Sequence, residues 1–68
     1  MKEIAIRVNG EPVTQAPCSV DALVKKLGYE SRFVAVAINY ECIRRSDFLE
    51  RAIQEGDDIE ILSPQSGG

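Results

Sequence analysis

The sequence contains no histidine. That removes the commonest general base and the commonest metal ligand. Its two cysteines, Cys18 and Cys42, lie far apart, so there is no C-x-x-C pattern for zinc or redox chemistry. Basic charge is also short: 8 Lys and Arg against 11 Asp and Glu leave a net charge of -3. Phosphate binding relies on a surplus of Lys and Arg, so nucleic acid is not expected as a partner. Arg44-Arg45 is the one adjacent pair of arginines and reads as a solvated edge. No apolar run is long enough for a signal peptide or a membrane span. Repeats, low-complexity stretches and internal linkers are absent as well. With 68 residues there is room for one domain and none for a deep catalytic pocket with its scaffold. The chain is therefore not expected to be an enzyme, nor to bind a metal or a cofactor of its own. A cytoplasmic protein with free thiols, monomeric when alone, is the expectation.

What is present reads as alternating short elements. Residues 2–8 put Ile4, Ile6 and Val8 on one face and Glu3, Ala5 and Arg7 on the other, the pattern of a half-buried strand. Asn9-Gly10 is a strong hairpin signal, because both residues tolerate positive φ. A second strand is expected over Glu11–Ala16, at an edge, since Pro12 has no N–H for a ladder. Ser19 then suits a helix N-cap, with Asp21 in the first turn and Lys25 and Lys26 in the last. Val20, Leu23, Val24 and Leu27 form its buried stripe, and Gly28 supplies the stop.

Residues 33–38, FVAVAI, are apolar on both faces and predict a central strand. Asn39-Tyr40 predicts a turn, and Glu41–Arg44 a short strand. Ser46 could cap a short helical segment carrying Phe48, Ala52 and Ile53 inward. Glu55-Gly56-Asp57 predicts a tight turn, followed by a strand over Asp58–Ser63. Asp57 and Asp58 would point to opposite faces of a strand, so a turn role suits them better than a metal site. Cys18 can pack on Leu23 as a hydrophobic staple, and Cys42 reads as a small apolar filler. This order specifies an α+β roll of the β-grasp type. Four to five strands form a mixed sheet, the first and last strands are central neighbours, and one main helix covers one face. The domain would span 1–63, with 64–68 as a flexible C-terminal tail.

The second half carries a more specific pattern. VAVAIN (34–39), Arg45 after a short strand, EGDDIEI (55–61) and a closing Gly67-Gly68 together resemble the sulfur carrier proteins of thiamine (thiazole) biosynthesis, a ubiquitin-like β-grasp family. In one place the chain departs from that family, which usually has proline immediately before the arginine; here the residue is Arg44. The resemblance implies that a separate adenylylating enzyme activates the carboxylate of Gly68 with ATP. A sulfur donor such as a cysteine desulfurase then converts it to a thiocarboxylate, and thiazole synthase takes the sulfur. Pro64, Gln65, Ser66 and Gly67 would thread into partner active sites. Six extended residues from Ser63 to Gly68 reach ~20 Å.

A docking surface is expected on the sheet face away from the helix, at Ala5, Phe33, Ala35, Ala37 and Leu62, with Arg45 beside it. Two relatives in chemistry remain open: the small sulfur-carrier subunit of molybdopterin synthase, and a ubiquitin-like modifier whose glycine ends in an amide. A plain interaction domain with an inert tail is the remaining reading. The fate of Gly68 separates them.

Overall fold

A computed structural model describes residues 2–63. Pro64, Gln65, Ser66, Gly67 and Gly68, the expected tail, lie outside the described residues. Strand β1 spans Ile4–Val8 and β2 spans Glu11–Gln15. They pair antiparallel through a turn in which Asn9 (φ 53) and Gly10 (φ 85) are both left-handed, as a two-residue hairpin of matching twist requires. Pro12 sits opposite Arg7 on β2, and β2 is an edge strand, so the missing N–H leaves no gap in the sheet interior.

Helix α1 spans Val20–Lys26. The Ser19 hydroxyl accepts a hydrogen bond from the Ala22 amide at 3.1 Å, and Lys25 pairs with Asp21 at 3.0 Å one turn away. The helix ends in a Schellman arrangement. The Tyr29 amide donates to the Val24 carbonyl and the Gly28 amide to that of Lys25, with Gly28 at φ +91. Val20, Leu23 and Val24 are fully buried, but Leu27 is 40% exposed. The helix stops at Lys26, so Leu27 caps it and lies beyond the part that covers the sheet.

Strands β3 (Ala35–Ile38), β4 (Glu41–Ile43) and β5 (Asp58–Leu62) complete a five-stranded sheet in the order β2-β1-β5-β3-β4. As expected, β1 and β5 are parallel neighbours at its centre. The expected strand over 33–38 starts later, because Ser31–Phe33 forms a single 3₁₀ turn. The segment after β4 is likewise a 3₁₀ turn, Arg45–Asp47, and not a longer helix. Ser46 lies inside that turn and does not cap it; Arg44 occupies the cap position. Phe48 and Ile53 are buried as expected, while Ala52 is exposed and makes an isolated bridge to Ser19.

One core joins these pieces. Ile6 and Val8 of β1, Val36 and Ile38 of β3, and Ile59 and Ile61 of β5 face the helix stripe, closed at the sides by Val34, Phe48 and Ile53. Asp57 is almost buried, yet both carboxylate oxygens are occupied: one accepts from the Gln54 amide at 2.8 Å, the other from the Asn39 side chain at 3.1 Å. Asn39 in turn accepts from the Asp58 amide at 3.0 Å. This network ties the β3–β4 turn to the start of β5, so Asp57 and Asp58 serve the turn. Asn9 does similar work at the far end of β5. Its side chain accepts from the Ile61 amide at 2.8 Å, where β1 has already turned away.

Candidate docking groove

β5 alternates Ile59 and Ile61 inward with Glu60 and Leu62 outward. Among the described residues nothing covers the outward face of the sheet, and Leu62 is 71% exposed on it. Register places Leu62 opposite Ala35, and Glu60 opposite Ala37, which in turn lies opposite Cys42 of β4. Small side chains on β3 leave a shallow apolar groove between Leu62 and Cys42, bounded by Glu60. A second groove adjoins it, lined by Phe33, Val34, Ala35, Leu62 and Ser63, with Arg32 and Arg45 at the rim. Ser63, the last described residue, lines this groove.

The two basic residues are not free in the same way. The Arg32 guanidinium lies 5.1 Å from the Phe33 ring centroid, a cation–π contact, and its Nε is 3.5 Å from the Glu30 carboxylate. Arg45 instead donates to backbone carbonyls, from Nε to Ser31 at 3.0 Å and from Nη2 to Val34 at 3.4 Å.

Four of the expected docking residues thus come together with Arg45: Phe33, Ala35, Ala37 and Leu62. Ala5 does not join them. It is exposed, but its carbonyl accepts from the Gly56 amide at 2.8 Å, just before β5 begins. Gly56 and Leu62 are six positions apart, so Ala5 lies at most about 20 Å from Leu62 along the strand direction, beyond the Glu60 edge of the groove. Glu60 and Arg32 belong to the site and were not singled out in the sequence; for Glu60 the alternation with Leu62 was an available signal. Cys18 packs against the core as expected, and its sulfur accepts from the buried Gln15 amide at 2.9 Å. Cys42 is no filler, because β4 is an edge strand and the residue stands exposed on the groove face.

The resemblance implies a proline where this chain has Arg44. Its backbone sits at φ -68, ψ 143, close to the angle a proline ring imposes. Ile43 before it is in a strand, the conformation that a following proline favours. Arg44→Pro should therefore stabilise the fold by about 0.4–1 kcal/mol through a less free unfolded chain. A urea denaturation series on the two proteins would measure it; a loss of stability would mean that the Arg44 amide has a partner.

Among the described residues no helix is long and apolar enough to cross a membrane. The model of the ThiS family matches residues 6–68, which includes Gly67-Gly68. A thiazole synthase of Paramagnetospirillum magneticum is 39% identical over 62 residues, 90% of this chain but only 19% of that protein. The sulfur carrier protein ThiS of Thermus thermophilus is 28% identical over 61 residues, covering 90% of this chain and 95% of its own. The crystal structure of the thiamine biosynthesis protein ThiS from Geobacter metallireducens superposes with a TM-score of 0.81 at 29% identity, over 96% of this chain and all of that one. The fold is accordingly a ubiquitin-like β-grasp, and the chain belongs to the ThiS family of sulfur carriers in thiamine biosynthesis.

Proposed function

We propose that this protein carries sulfur as a thiocarboxylate on Gly68 and delivers it for thiazole ring formation. The observation that carries the reading is the match to the family over residues 6–68, glycine pair included. A carboxylate is a poor acyl donor. Attack of a Gly68 carboxylate oxygen on the α-phosphorus of ATP, held by an activating enzyme, forms the acyl-adenylate and releases pyrophosphate. A sulfide sulfur then attacks the Gly68 carbonyl carbon directly, or the terminal sulfur of a persulfide does so to give an acyl-disulfide that a thiol reductant cleaves, and in either case AMP leaves with the C–O bond pair. Two easier steps replace one hard one, the logic of covalent catalysis.

Gly68 offers no Cβ to obstruct attack, and Gly67 accepts whatever φ and ψ a narrow channel imposes. Pro64, Gln65 and Ser66 form the rest of the threading segment, in a chain divided functionally into a domain over 1–63 and a tail over 64–68. The catalytic groups belong to the partners, and the protein binds no cofactor itself. Thiazole synthase is the acceptor. A stretch similar to this chain makes up 19% of a thiazole synthase, which would place carrier and acceptor in one molecule there. The activating enzyme docks on the groove of Phe33, Ala35, Ala37 and Leu62, an open apolar surface that Ser63, the last described residue, also lines.

Intact mass spectrometry after incubation with ATP, an activating enzyme and a sulfur source tests this. The expected result is a gain equal to exchanging one oxygen for one sulfur, absent when Gly68 is deleted. An amide to lysines of other proteins would make the chain a modifier, and no change would make the glycines an inert end.

A further inference from the structure

We infer that Arg45 is a positioning residue for partner recognition, acting through Phe33 and not by touching the partner. The inference rests on the carrier reading above for its kinetic consequence, though the tether itself belongs to the free protein. The register of β3 and β4 runs Ile38 to Glu41, Ala37 to Cys42 and Val36 to Ile43. Continued by two positions it would set Val34 opposite Arg45. The ladder does not continue, because the chain turns into the 3₁₀ segment Arg45–Asp47. The Arg45 side chain fills the gap, with Nη2 at the Val34 carbonyl and Nε at the Ser31 carbonyl.

Those two carbonyls bracket the turn Ser31–Phe33. No side chain in that turn is buried, so apolar packing does little to hold it. Its flanks, Tyr29 and Val34, are packed against the core. Between them the guanidinium joins the turn to the end of β4 by a planar, two-point contact of a kind a lysine ammonium does not reproduce. What the turn presents is Phe33, 41% exposed, forming part of the wall of the groove that Leu62 and Ser63 also line. Arg32 stacked on that ring adds to the same wall. Removing the tether would let the wall move, and the partner would then bear the cost of ordering it on binding.

The test is a double-mutant cycle on the full chain, read as KM and kcat for adenylylation by the activating enzyme. Arg45→Met should raise KM about tenfold with kcat nearly unchanged, and Phe33→Ala should do the same, as for truncated anchors at an interface. The double variant should be no worse than Phe33→Ala alone, because both changes break one route. Multiplying effects would show that Arg45 contacts the partner itself and would overturn the proposal, as would an Arg45→Met protein with normal KM. Arg45→Lys should recover only part of the loss.

Amide exchange of the free protein supplies the second readout. Arg45→Met should speed exchange at the Phe33 amide, which donates to the Glu30 carbonyl at 2.9 Å, with the sheet unchanged; protection there as in the parent would overturn the tether. If the parent protein is not adenylylated by any such enzyme, the carrier reading is what fails, and the exchange measurement still decides on Arg45.

Discussion

Leu62→Asp should give a folded protein that binds its activating enzyme about thirtyfold more weakly, roughly 2 kcal/mol. Leu62 points away from the core and is 71% exposed, so the free protein should lose no more than about 0.5 kcal/mol. The loss on binding has two parts. The apolar contact goes, and a carboxylate must then be desolvated with Glu60 already on the same face. Leu49→Asp is the matched control. That leucine is 74% exposed too, but lies in the loop between β4 and β5 and lines neither groove. Calorimetric titration of both variants, with a thermal melt of each, separates the outcomes. Equal affinities for the parent and Leu62→Asp would remove the sheet face from the docking reading. Equal losses in both variants would reduce the effect to net charge.

Ile59→Ala should cost about 2–5 kcal/mol, the range for truncating a fully buried aliphatic side chain. Ile59 is 0% exposed, on the strand that has β1 on one side and β3 on the other. A core of this size supplies roughly 3–5 kcal/mol in total, so the variant should be largely unfolded at 25 °C. Far-UV circular dichroism across a urea series would show it. Leu27→Ala, on the helical stripe but 40% exposed, should cost under about 1 kcal/mol. Near-equal costs at the two positions would mean that the sheet centre is not where the sheet order puts it.

The same two residues show which inferences from sequence hold. Ile59 belongs to an alternating strand, and alternation is a property of neighbouring residues, so its inward direction could be read directly. Leu27 belongs to a helical stripe of correct period, but burial also needs an element opposite. The stop at Gly28 left the helix one turn too short to provide it. FVAVAI is apolar throughout and so predicts a strand that begins at Phe33. The backbone instead spends Ser31–Phe33 on a turn, which presents the ring at the groove rim and does not bury it.

Local chemistry in the sequence determined the elements themselves. The hairpin follows from Asn9-Gly10, the helix from Ser19 and Gly28, the final strand from the alternation after Gly56, and the family from VAVAIN, EGDDIEI and the closing glycines. Those signals act within a few residues, where backbone sterics, caps and turn geometry are decided. The tertiary structure alone decided the register, and with it which side chains lie beside which. Ala5 and Leu62 share a sheet face in any reading of the alternation, yet the β1–β5 register sets them up to about 20 Å apart. Arg45 looks like a solvated edge residue in the sequence, and becomes a tether only because β4 ends two residues before it. Pairing between distant strands depends on closing the whole core at once, and no short stretch of sequence records that register.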